Sequence, residues 1–337
     1  MILFFSILYF SSYLALPHHW TSDHYFKSTA HEKNILHYLK NEGNYSSFYD
    51  QIKDNDQLTE ILQHGKDLLV FVPTNEAFKT FVPGFEDKNA IFSYHIASSS
   101  GRMSLARKPF DLTSGELLPS ILADSSLKGG HQFLKVYLNE WQHGRVYIGN
   151  ERSFSKVLGK PTVASNGMIF LIDSVLLPPY DIWRMINDIQ FHGHLTNVVT
   201  MLEVSGLANE LEMRQGLTFL APTDEAFERL GPSAVRHLLS PTGKPLLRRI
   251  LMYHFVPRET YYSHYVQTGD TTWETMLYGK PIQVHKISFQ GERHFSSIIL
   301  NEESRIIYGD VLCSNGVAHI IDNVLIPSWE MKELENI

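Results

Sequence analysis

Cysteine is almost absent from this sequence of 337 residues, since Cys313 is the only one. No intrachain disulfide can form, so buried apolar side chains and hydrogen bonds must hold any folded domain together. Cys313 stands beside an apolar segment, and a small buried filler is a better interpretation of it than a nucleophile. With 43% hydrophobic residues, the chain can build two cores of ordinary size.

Runs of lysine and arginine are also missing, and the formal net charge is −7. Proteins that bind nucleic acid carry basic patches that neutralise phosphates, so nucleic acid is not expected as a partner. The C-terminal residues are polar and charged rather than apolar. We therefore expect neither a lipid-anchor signal nor a membrane-spanning helix at that end.

The common sequence signatures of enzymes are absent as well. No GxSxG segment occurs, and each Gly-Lys pair precedes Asp or Pro instead of the Ser or Thr of a phosphate-binding loop. His31-Glu32 lacks the second histidine of a zinc-protease motif, because Ile35 stands at that position. We expect no metal and no cofactor, and we interpret the chain as non-catalytic. An enzyme of unknown type is the third hypothesis, because scattered Ser, His and Asp side chains could meet in the fold.

The N-terminal residues 1–16 are nearly all apolar and carry no charged side chain. This length fits a signal peptide better than a spanning helix. We therefore expect entry into the secretory pathway, with no integral membrane anchor after signal cleavage. Residues 17–33 contain several histidines, but no ligand set of fixed spacing accompanies them, so a flexible polar segment is preferred to a metal cluster.

Two segments of the chain each occur twice. Leu69–Phe78 (LVFVPTNEAF) corresponds to Thr218–Phe227 (TFLAPTDEAF), and Asn166–Pro178 (NGMIFLIDSVLLP) corresponds to Asn315–Pro327 (NGVAHIIDNVLIP). Both pairs are separated by the same interval of 149 positions. Because two unrelated segments rarely share one interval by chance, the chain is predicted to be a tandem of two copies of one domain.

The first repeated segment predicts a strand followed by a capped helix. Its apolar run is typical of a buried strand, and Pro73 ends that strand. Thr74, or Asn75 beside it, is placed to cap the helix that follows. Thr223 and Asp224 occupy the same positions in the second copy. Capping accounts for the spacing of these side chains, so an architectural role is preferred to a catalytic one.

The second repeated segment predicts a tight turn at Asn-Gly and then a strand that is buried on both faces. Asp173 and Asp322 interrupt the apolar run at matching places. A buried carboxylate needs hydrogen-bond partners, so each is expected to accept from nearby backbone amides. A catalytic acid is the alternative interpretation, but the presence of the same residue in both copies favours architecture.

These segments resemble the two conserved blocks of the fasciclin domain, an extracellular module. The resemblance implies an α+β fold in which each copy is a β-sandwich-like wedge with a packed helical bundle. Fasciclin domain 1 is then expected at 34–179 and fasciclin domain 2 at 181–328, followed by a polar tail at 329–337. His319 matches the pattern of many family members, whereas the first copy departs from it with Phe170.

The resemblance includes a Tyr-His pair in each copy, Tyr94-His95 and Tyr253-His254, in a region linked to integrin binding in adhesive relatives. These four residues are therefore candidates for partner binding. The alternative is that they fill a junction between helix and sheet with their polar tips hydrogen-bonded. Asn44 begins the sequon Asn-Tyr-Ser in a polar turn and is a candidate N-glycosylation site.

The function implied by the resemblance is that of a non-catalytic secretory-pathway protein that mediates cell adhesion or protein binding. Its expected partners are other proteins or components of the cell surface and matrix, and its expected location is secreted or at the cell surface. The alternative hypothesis is a luminal protein of the vacuole or lysosome that supports membrane traffic or autophagy.

Overall fold

The structure is a computed structural model that describes residues 33–82, 84, 86–98, 114–139, 145–188, 191, 194–288 and 296–335. The expected signal peptide, and all but the last residue of the expected flexible segment, lie outside the described residues. Within the described part of the chain, no helix has the length and apolarity needed to cross a membrane.

Domain 1 comprises the elements from α1 to β7. Its helices are α1 (Ile35–Asn41), α2 (Ser46–Ile52), α3 (Asp56–His64), α4 (Asn75–Thr80) and α5 (Lys88–Tyr94), with a short 3₁₀ helix (Gly43–Tyr45) before α2. Its strands are β1 (Leu68–Pro73), β2 (Ile96–Ser98), β3 (Leu117–Ala123), β4 (His131–Asn139), β5 (Arg145–Asn150), β6 (Ser153–Ala164) and β7 (Gly167–Ile172).

Domain 2 comprises the elements from α6 to α12. Its helices are α6 (Ile182–Ile186), α7 (Thr196–Ser205), α8 (Ala208–Met213), α9 (Asp224–Glu228), α10 (Pro232–Leu238), α11 (Lys244–Tyr253) and α12 (Ser328–Glu335). Its strands are β8 (Leu217–Pro222), β9 (Phe255–Val256), β10 (Gly269–Trp273), β11 (Ile282–Ser288), β12 (Ser296–Leu300), β13 (Ser304–Cys313) and β14 (Gly316–Ile321).

Each domain has a seven-stranded sheet, and six of the seven strand pairs of domain 1 recur in domain 2. In domain 1 the order follows the chain from β1 to β7, and β7 closes on β1. In domain 2 the order is β10-β11-β12-β13-β14-β8-β9, which is open between its first and last strands. The mixture of helices and strands gives the α+β fold expected from the sequence, while the exact domain limits stay a prediction.

The two repeated segments of each copy lie side by side in the sheet. β1 pairs with β7 in parallel, starting from Leu68 opposite Gly167. β8 pairs with β14 in the same way, starting from Leu217 opposite Gly316. The register is therefore identical in the two domains, so the repeated segments form one structural unit in each copy.

The strand of the first repeated segment is buried on both faces, as its continuous apolarity predicts. Val70 and Val72 pack in the core between the sheet and the helices of domain 1. Leu69 and Phe71 point to the opposite face and pack inside the closed sheet. Alternation along one strand thus joins two cores, because successive side chains of a strand point to opposite faces.

The hairpin before β7 differs from the expectation in its register. β6 ends at Ala164 and β7 begins at Gly167, so the two turn residues are Ser165 and Asn166, and the glycine is the first strand residue. A Cβ atom on Gly167 would lie 2.1 Å from the carbonyl oxygen of Leu68 in β1. Glycine is required here by the close approach of the neighbouring strand, and not by the turn.

Candidate functional site

Thr74 and Thr223 cap the helices that follow the first repeated segment. The Thr74 Oγ1 accepts a hydrogen bond from the Ala77 amide at 3.2 Å, and the Thr223 Oγ1 accepts from the Ala226 amide at 3.2 Å. Each hydroxyl satisfies one of the free amides at a helix N-terminus. These contacts engage the hydroxyls in holding the corner between strand and helix.

We predict that Thr74→Ala or Thr223→Ala lowers the free energy of unfolding by about 1 kcal/mol, because the cap is lost. Thr74→Ser and Thr223→Ser keep the accepting oxygen and are the matched controls. Chemical denaturation of the four variants measures the effect. Unchanged stability in both alanine variants would contradict the capping role.

Asn75 and Asp224 act on a different helix from the one they begin. The Asn75 Oδ1 accepts from the amide of Ser47 in α2 at 3.0 Å. The Asp224 carboxylate accepts from the amides of Thr196 at 3.2 Å and Asn197 at 2.6 Å, at the start of α7. A carboxylate at this position also complements the positive end of the helix dipole. These side chains therefore tie two helices together in each domain.

Asn166 and Asn315, the turn residues of the second repeated segment, hold helices in place. The Asn166 Oδ1 accepts from the Ile35 amide at 2.9 Å, and its Nδ2 donates to carbonyls at the end of α3. The Asn315 Oδ1 accepts from the Ile182 amide at 2.8 Å, and its Nδ2 donates to the Leu211 carbonyl at 2.7 Å. The sequence signal for this role is that Asn occurs at the same place in both copies. The preference of Asn-Gly for tight turns is enough to explain that repetition, so the contacts to the helices were not predicted.

The tyrosines of the Tyr-His pairs are buried and hydrogen-bonded. The Tyr94 hydroxyl donates to the Phe133 carbonyl at 2.6 Å and accepts from the Asn150 Nδ2 at 2.9 Å. The Tyr253 hydroxyl donates to the Pro281 carbonyl at 3.0 Å and accepts from the Asn301 Nδ2 at 3.0 Å. Each phenol joins the end of a helix to the sheet, and a partner that docks on the surface of domain 1 does not reach the fully buried Tyr94.

The histidines of the same pairs are fully buried and make matching contacts. The His95 Nδ1 donates to the Ile91 carbonyl at 2.8 Å, and its Nε2 accepts from the Leu176 amide at 3.0 Å. His254 repeats this arrangement with the Ile250 carbonyl at 2.8 Å and the Leu325 amide at 3.0 Å. The backbone partners fix the neutral form with its proton on Nδ1.

Burial lowers the pKa of both histidines to about 4, and the hydrogen bond from Nδ1 to a backbone carbonyl only partly opposes this effect. The charged form would lose its hydration and would clash with the amide that now donates to Nε2. Both rings are therefore neutral at physiological pH. Their geometry is that of core residues that link a helix to the segment after the second repeated strand.

The two aspartates lie outside the strands that were expected to contain them, and neither is buried. β7 ends at Ile172 and β14 ends at Ile321, so Asp173 is exposed and Asp322 is half-buried. The Asp173 carboxylate accepts a hydrogen bond from the backbone amide of Lys156 at 2.9 Å. The Asp322 carboxylate accepts one from the backbone amide of Arg305 at 2.7 Å. The expectation of buried carboxylates was wrong because an apolar stretch on both sides of Asp does not show where pairing stops.

His319 is fully buried in β14, and both of its ring nitrogens bond to backbone groups of domain 2. Its Nε2 donates to the Tyr261 carbonyl at 2.8 Å, and its Nδ1 accepts from the Asp310 amide at 3.2 Å. Phe170, at the equivalent position of domain 1, stacks on Phe71 with 5.3 Å between the ring centroids. The same strand position therefore carries a polar contact in one domain and an aromatic contact in the other.

A Ser, an Asp and a His do meet near β13, but their contacts do not form a catalytic relay. The Asp310 carboxylate accepts from the amide of Ser263 at 2.7 Å and from its hydroxyl. Both ring nitrogens of His319 are engaged by backbone groups, so the imidazole is not available as a base toward Ser263. Among the residues that the structure describes, no group of three or more metal-binding side chains is placed to hold an ion.

A surface cavity of about 390 Å³ lies in domain 1, where the turn after α3 meets the hairpin before β7. It is lined by Gln63, His64, Gly65, Lys66, Asp67, Ser165 and Asn166. Its ionisable side chains, His64, Lys66 and Asp67, all come from the end of α3 and the turn that follows it. Asn44, the candidate glycosylation site, is exposed on the 3₁₀ helix before α2.

Comparison with known proteins places these features in a family. The family model described as the Fasciclin domain matches the sequence at residues 43–178 and 193–327. The two matched segments cover most of the chain, and each contains both repeated segments of its copy.

Several proteins are similar to this chain over much of its length. Aurofusarin biosynthesis cluster protein S of Gibberella zeae is 26% identical over 94% of this chain and 84% of its own length. Human periostin is 24% identical over 84% of this chain, which spans 31% of periostin. Among solved structures, a FAS1 domain pair from the insect cell adhesion molecule Fasciclin I has a TM-score of 0.43 and 20% identity, covering 86% of this chain and 98% of that chain.

Proposed function

The chain belongs to the fasciclin domain family, and from this membership we propose that it is a non-catalytic protein of the secretory pathway that binds other proteins or cell-surface and matrix components. The similarity to periostin and to transforming growth factor-beta-induced protein ig-h3 of Sus scrofa, at 24% and 26% identity, supports an adhesion or protein-binding role. Two fungal relatives are named fasciclin-like arabinogalactan proteins. Function is inferred here from the family, since the fold alone does not determine it.

The observation that carries this proposal is the engagement of the repeated polar residues in the fold. The caps, the Tyr-His pairs and His319 bond to backbone or core groups in ways that account for their presence. A surface that recognises partners must then be built from other side chains. This division is typical of a scaffold that presents a binding surface, and not of a catalytic centre.

Exposed apolar side chains supply candidates for that surface. Tyr278 is 98% exposed, Met213 is 76% exposed and Phe154 is 57% exposed. Large aromatic side chains contribute strongly to protein interfaces, because they bury much apolar area with few rotatable bonds. We propose that Tyr278 in domain 2 and Phe154 in domain 1 take part in partner binding.

An attachment assay tests the proposal. Surfaces coated with the full chain should retain cells or cell-wall fragments above a surface coated with an unrelated blocking protein. Tyr278→Ser combined with Phe154→Ser should reduce attachment while the melting midpoint stays within about 2 °C of the wild type, since exposed substitutions change stability little. Attachment no greater than the blocked surface would contradict the proposed function, and full attachment by the double variant would contradict the choice of residues.

The secretory location is a separate part of the proposal. A tagged full-length chain is expected in the medium, at the cell surface or in the wall. The neutral buried histidines favour a compartment near neutral pH, because protonation opposes the folded state. Accumulation of the tagged chain in an acidic internal lumen would instead support the vacuolar or lysosomal alternative.

A further inference from the structure

The seam between the two domains contains a buried lysine that reaches across it. Lys135 in β4 of domain 1 extends its ammonium group to the carbonyl oxygens of Gly309 at 2.8 Å and Asp310 at 3.1 Å in domain 2. Lys135 is only 7% exposed. A buried ammonium group needs such partners, because it has left the water that solvated it.

The two carbonyl groups are available because β13 is irregular at this point. Its register against β14 shifts between Tyr308 and Val311, so Gly309 and Asp310 have no partner residue in that ladder. Asp310 has a φ of 57°, which is unusual for a residue other than glycine. A bulge of this kind leaves backbone groups unpaired, and they need partners elsewhere. Domain 1 provides a partner for both carbonyls.

Glu151, which follows β5 of domain 1, completes the contact. Its Oε1 accepts from Lys135 at 3.2 Å, from the Tyr137 hydroxyl at 2.9 Å and from the Tyr308 hydroxyl at 3.2 Å. Its Oε2 accepts from the backbone amide of Leu312 in β13 at 3.0 Å. Each carboxylate oxygen therefore has at least one donor, and two of the four donors, the Tyr308 hydroxyl and the Leu312 amide, belong to domain 2.

The surroundings keep the lysine charged. Burial alone would lower the pKa of Lys135, but the nearby Glu151, Tyr308 and Asp310 outweigh this effect and raise it. The Nζ also lies 4.7 Å from the ring centroid of Tyr308 and 5.3 Å from that of Tyr137. Contact between a cation and aromatic rings is favourable, especially in a desolvated site.

Other contacts along the seam support the same arrangement. The rings of Phe133 and Tyr262 meet edge to face with 4.9 Å between centroids. The Gln132 Nε2 donates to the Ser314 carbonyl at 3.0 Å. The Ser314 amide in turn donates at 2.8 Å to the carbonyl of Tyr180, in the segment that connects the domains. The connection itself is therefore held against the turn that follows β13 in domain 2.

We propose that the Lys135–Glu151 pair of domain 1 completes the irregular strand β13 of domain 2, so that the two domains fold and unfold as one cooperative unit. The pair satisfies backbone groups that domain 2 leaves unpaired. Domain 2 thereby depends on side chains that only domain 1 provides.

Thermal unfolding of full-length variants tests the coupling. The wild type should unfold in a single transition. Lys135→Met should lower the melting midpoint by roughly 5 to 10 °C, because it leaves a buried carboxylate without its cation. Hydrogen exchange in β13, followed by mass spectrometry, should become faster in the same variant even though the substituted residue is in domain 1.

The double variant Lys135→Met with Glu151→Leu should show a smaller shift of the melting midpoint than the sum of the shifts of the two single variants, because the second change removes a charge that is already unpaired.

A matched control is available in the same seam. Lys128 and Glu259 form an ion pair between the domains at 4.0 Å, and both side chains are about half exposed. Glu259→Ala should lower the midpoint by less than about 2 °C and leave exchange in β13 unchanged. If Lys135→Met does not fold, Glu151→Gln, which keeps an oxygen to accept the Leu312 amide, should give a folded chain with an intermediate shift.

Three outcomes would overturn the proposal. The first is a wild type that unfolds in two separate transitions. The second is a shift in Lys135→Met or Glu151→Gln no larger than that in Glu259→Ala. The third is unchanged exchange in β13 when the pair is broken, which would mean that domain 2 holds this strand without domain 1.

Discussion

Lowering the pH from 7 to 5 should destabilise the folded chain by on the order of 2 kcal/mol for each of two histidines. His95 and His254 have pKa values of about 4 in the folded chain, below the usual value of about 6.5 for an unfolded histidine. The unfolded chain therefore binds protons first as the pH falls. Stability is fully present above about pH 6.5 and is lost progressively as the pH falls toward 4.

The window from pH 6.5 to 5 isolates this effect from that of the carboxylates. Hydrogen bonds from Arg152 and Arg248 lower the pKa values of Glu86 and Glu210. These two carboxylates therefore lose their charge, and with it their contribution to the free energy of unfolding, only at lower pH. The pKa of His319 is also lowered, mainly by burial, and this residue adds to the loss in the same direction. Denaturant titrations at several pH values measure the slope of the free energy of unfolding against pH.

A histidine variant should remove part of the slope. His254→Gln should be less stable than the wild type at pH 7.5, because the Ile250 and Leu325 contacts are disturbed. Its stability should nevertheless depend less on pH, by up to about 1.4 kcal/mol per pH unit in this window. His37→Gln, at an exposed position of α1, is the control and should keep the wild-type slope. Equal slopes in all three proteins would contradict the role of the buried ring.

Gly316→Ala should lower the free energy of unfolding by about 3 kcal/mol or more. A Cβ atom at Gly316 would lie 2.1 Å from the carbonyl oxygen of Leu217. That carbonyl is in the backbone of β8, in the parallel ladder that joins the two repeated segments. Neither strand can move without breaking the ladder, so the clash has no inexpensive relief.

Gly279→Ala is the matched control for this prediction. Gly279 has a φ of 71°, but a Cβ atom there would meet nothing within 4 Å. The substitution carries only the conformational penalty of a left-handed residue, about 1 kcal/mol. Gly167→Ala should behave like Gly316→Ala, because its Cβ would lie equally close to Leu68. A Gly316→Ala variant that is as stable as Gly279→Ala would show that the two strands can separate at this point.

The sequence was sufficient to predict the duplication and the corner between strand and helix. An interval of 149 positions shared by two segments left few alternatives to a tandem. The short apolar run before Pro73 and the Thr that follows it each have one dominant local role. Local rules of this kind are reliable because the groups that they join are close along the chain.

Contacts between distant parts of the chain were beyond such rules. Asn75 bonds to Ser47, 28 positions earlier, and Asn166 bonds to Ile35, 131 positions earlier. The parallel pairing of the two repeated segments and the Lys135–Glu151 pair depend on the tertiary fold in the same way. A sequence pattern shows that a polar residue sits beside an apolar run, but it does not show which backbone group is left unpaired nearby.

Attachment per folded molecule, measured for the double variant Thr74→Ala with Thr223→Ala, tests whether the repeated residues serve the fold or the binding site. We propose that the repeated residues support the fold and that partners are recognised elsewhere on the surface. Attachment equal to that of the wild type is therefore expected at a temperature where both proteins are folded, despite a lower melting midpoint. A fully folded double variant that no longer attaches would contradict this division of roles, because the strand-to-helix corner would then belong to the binding site.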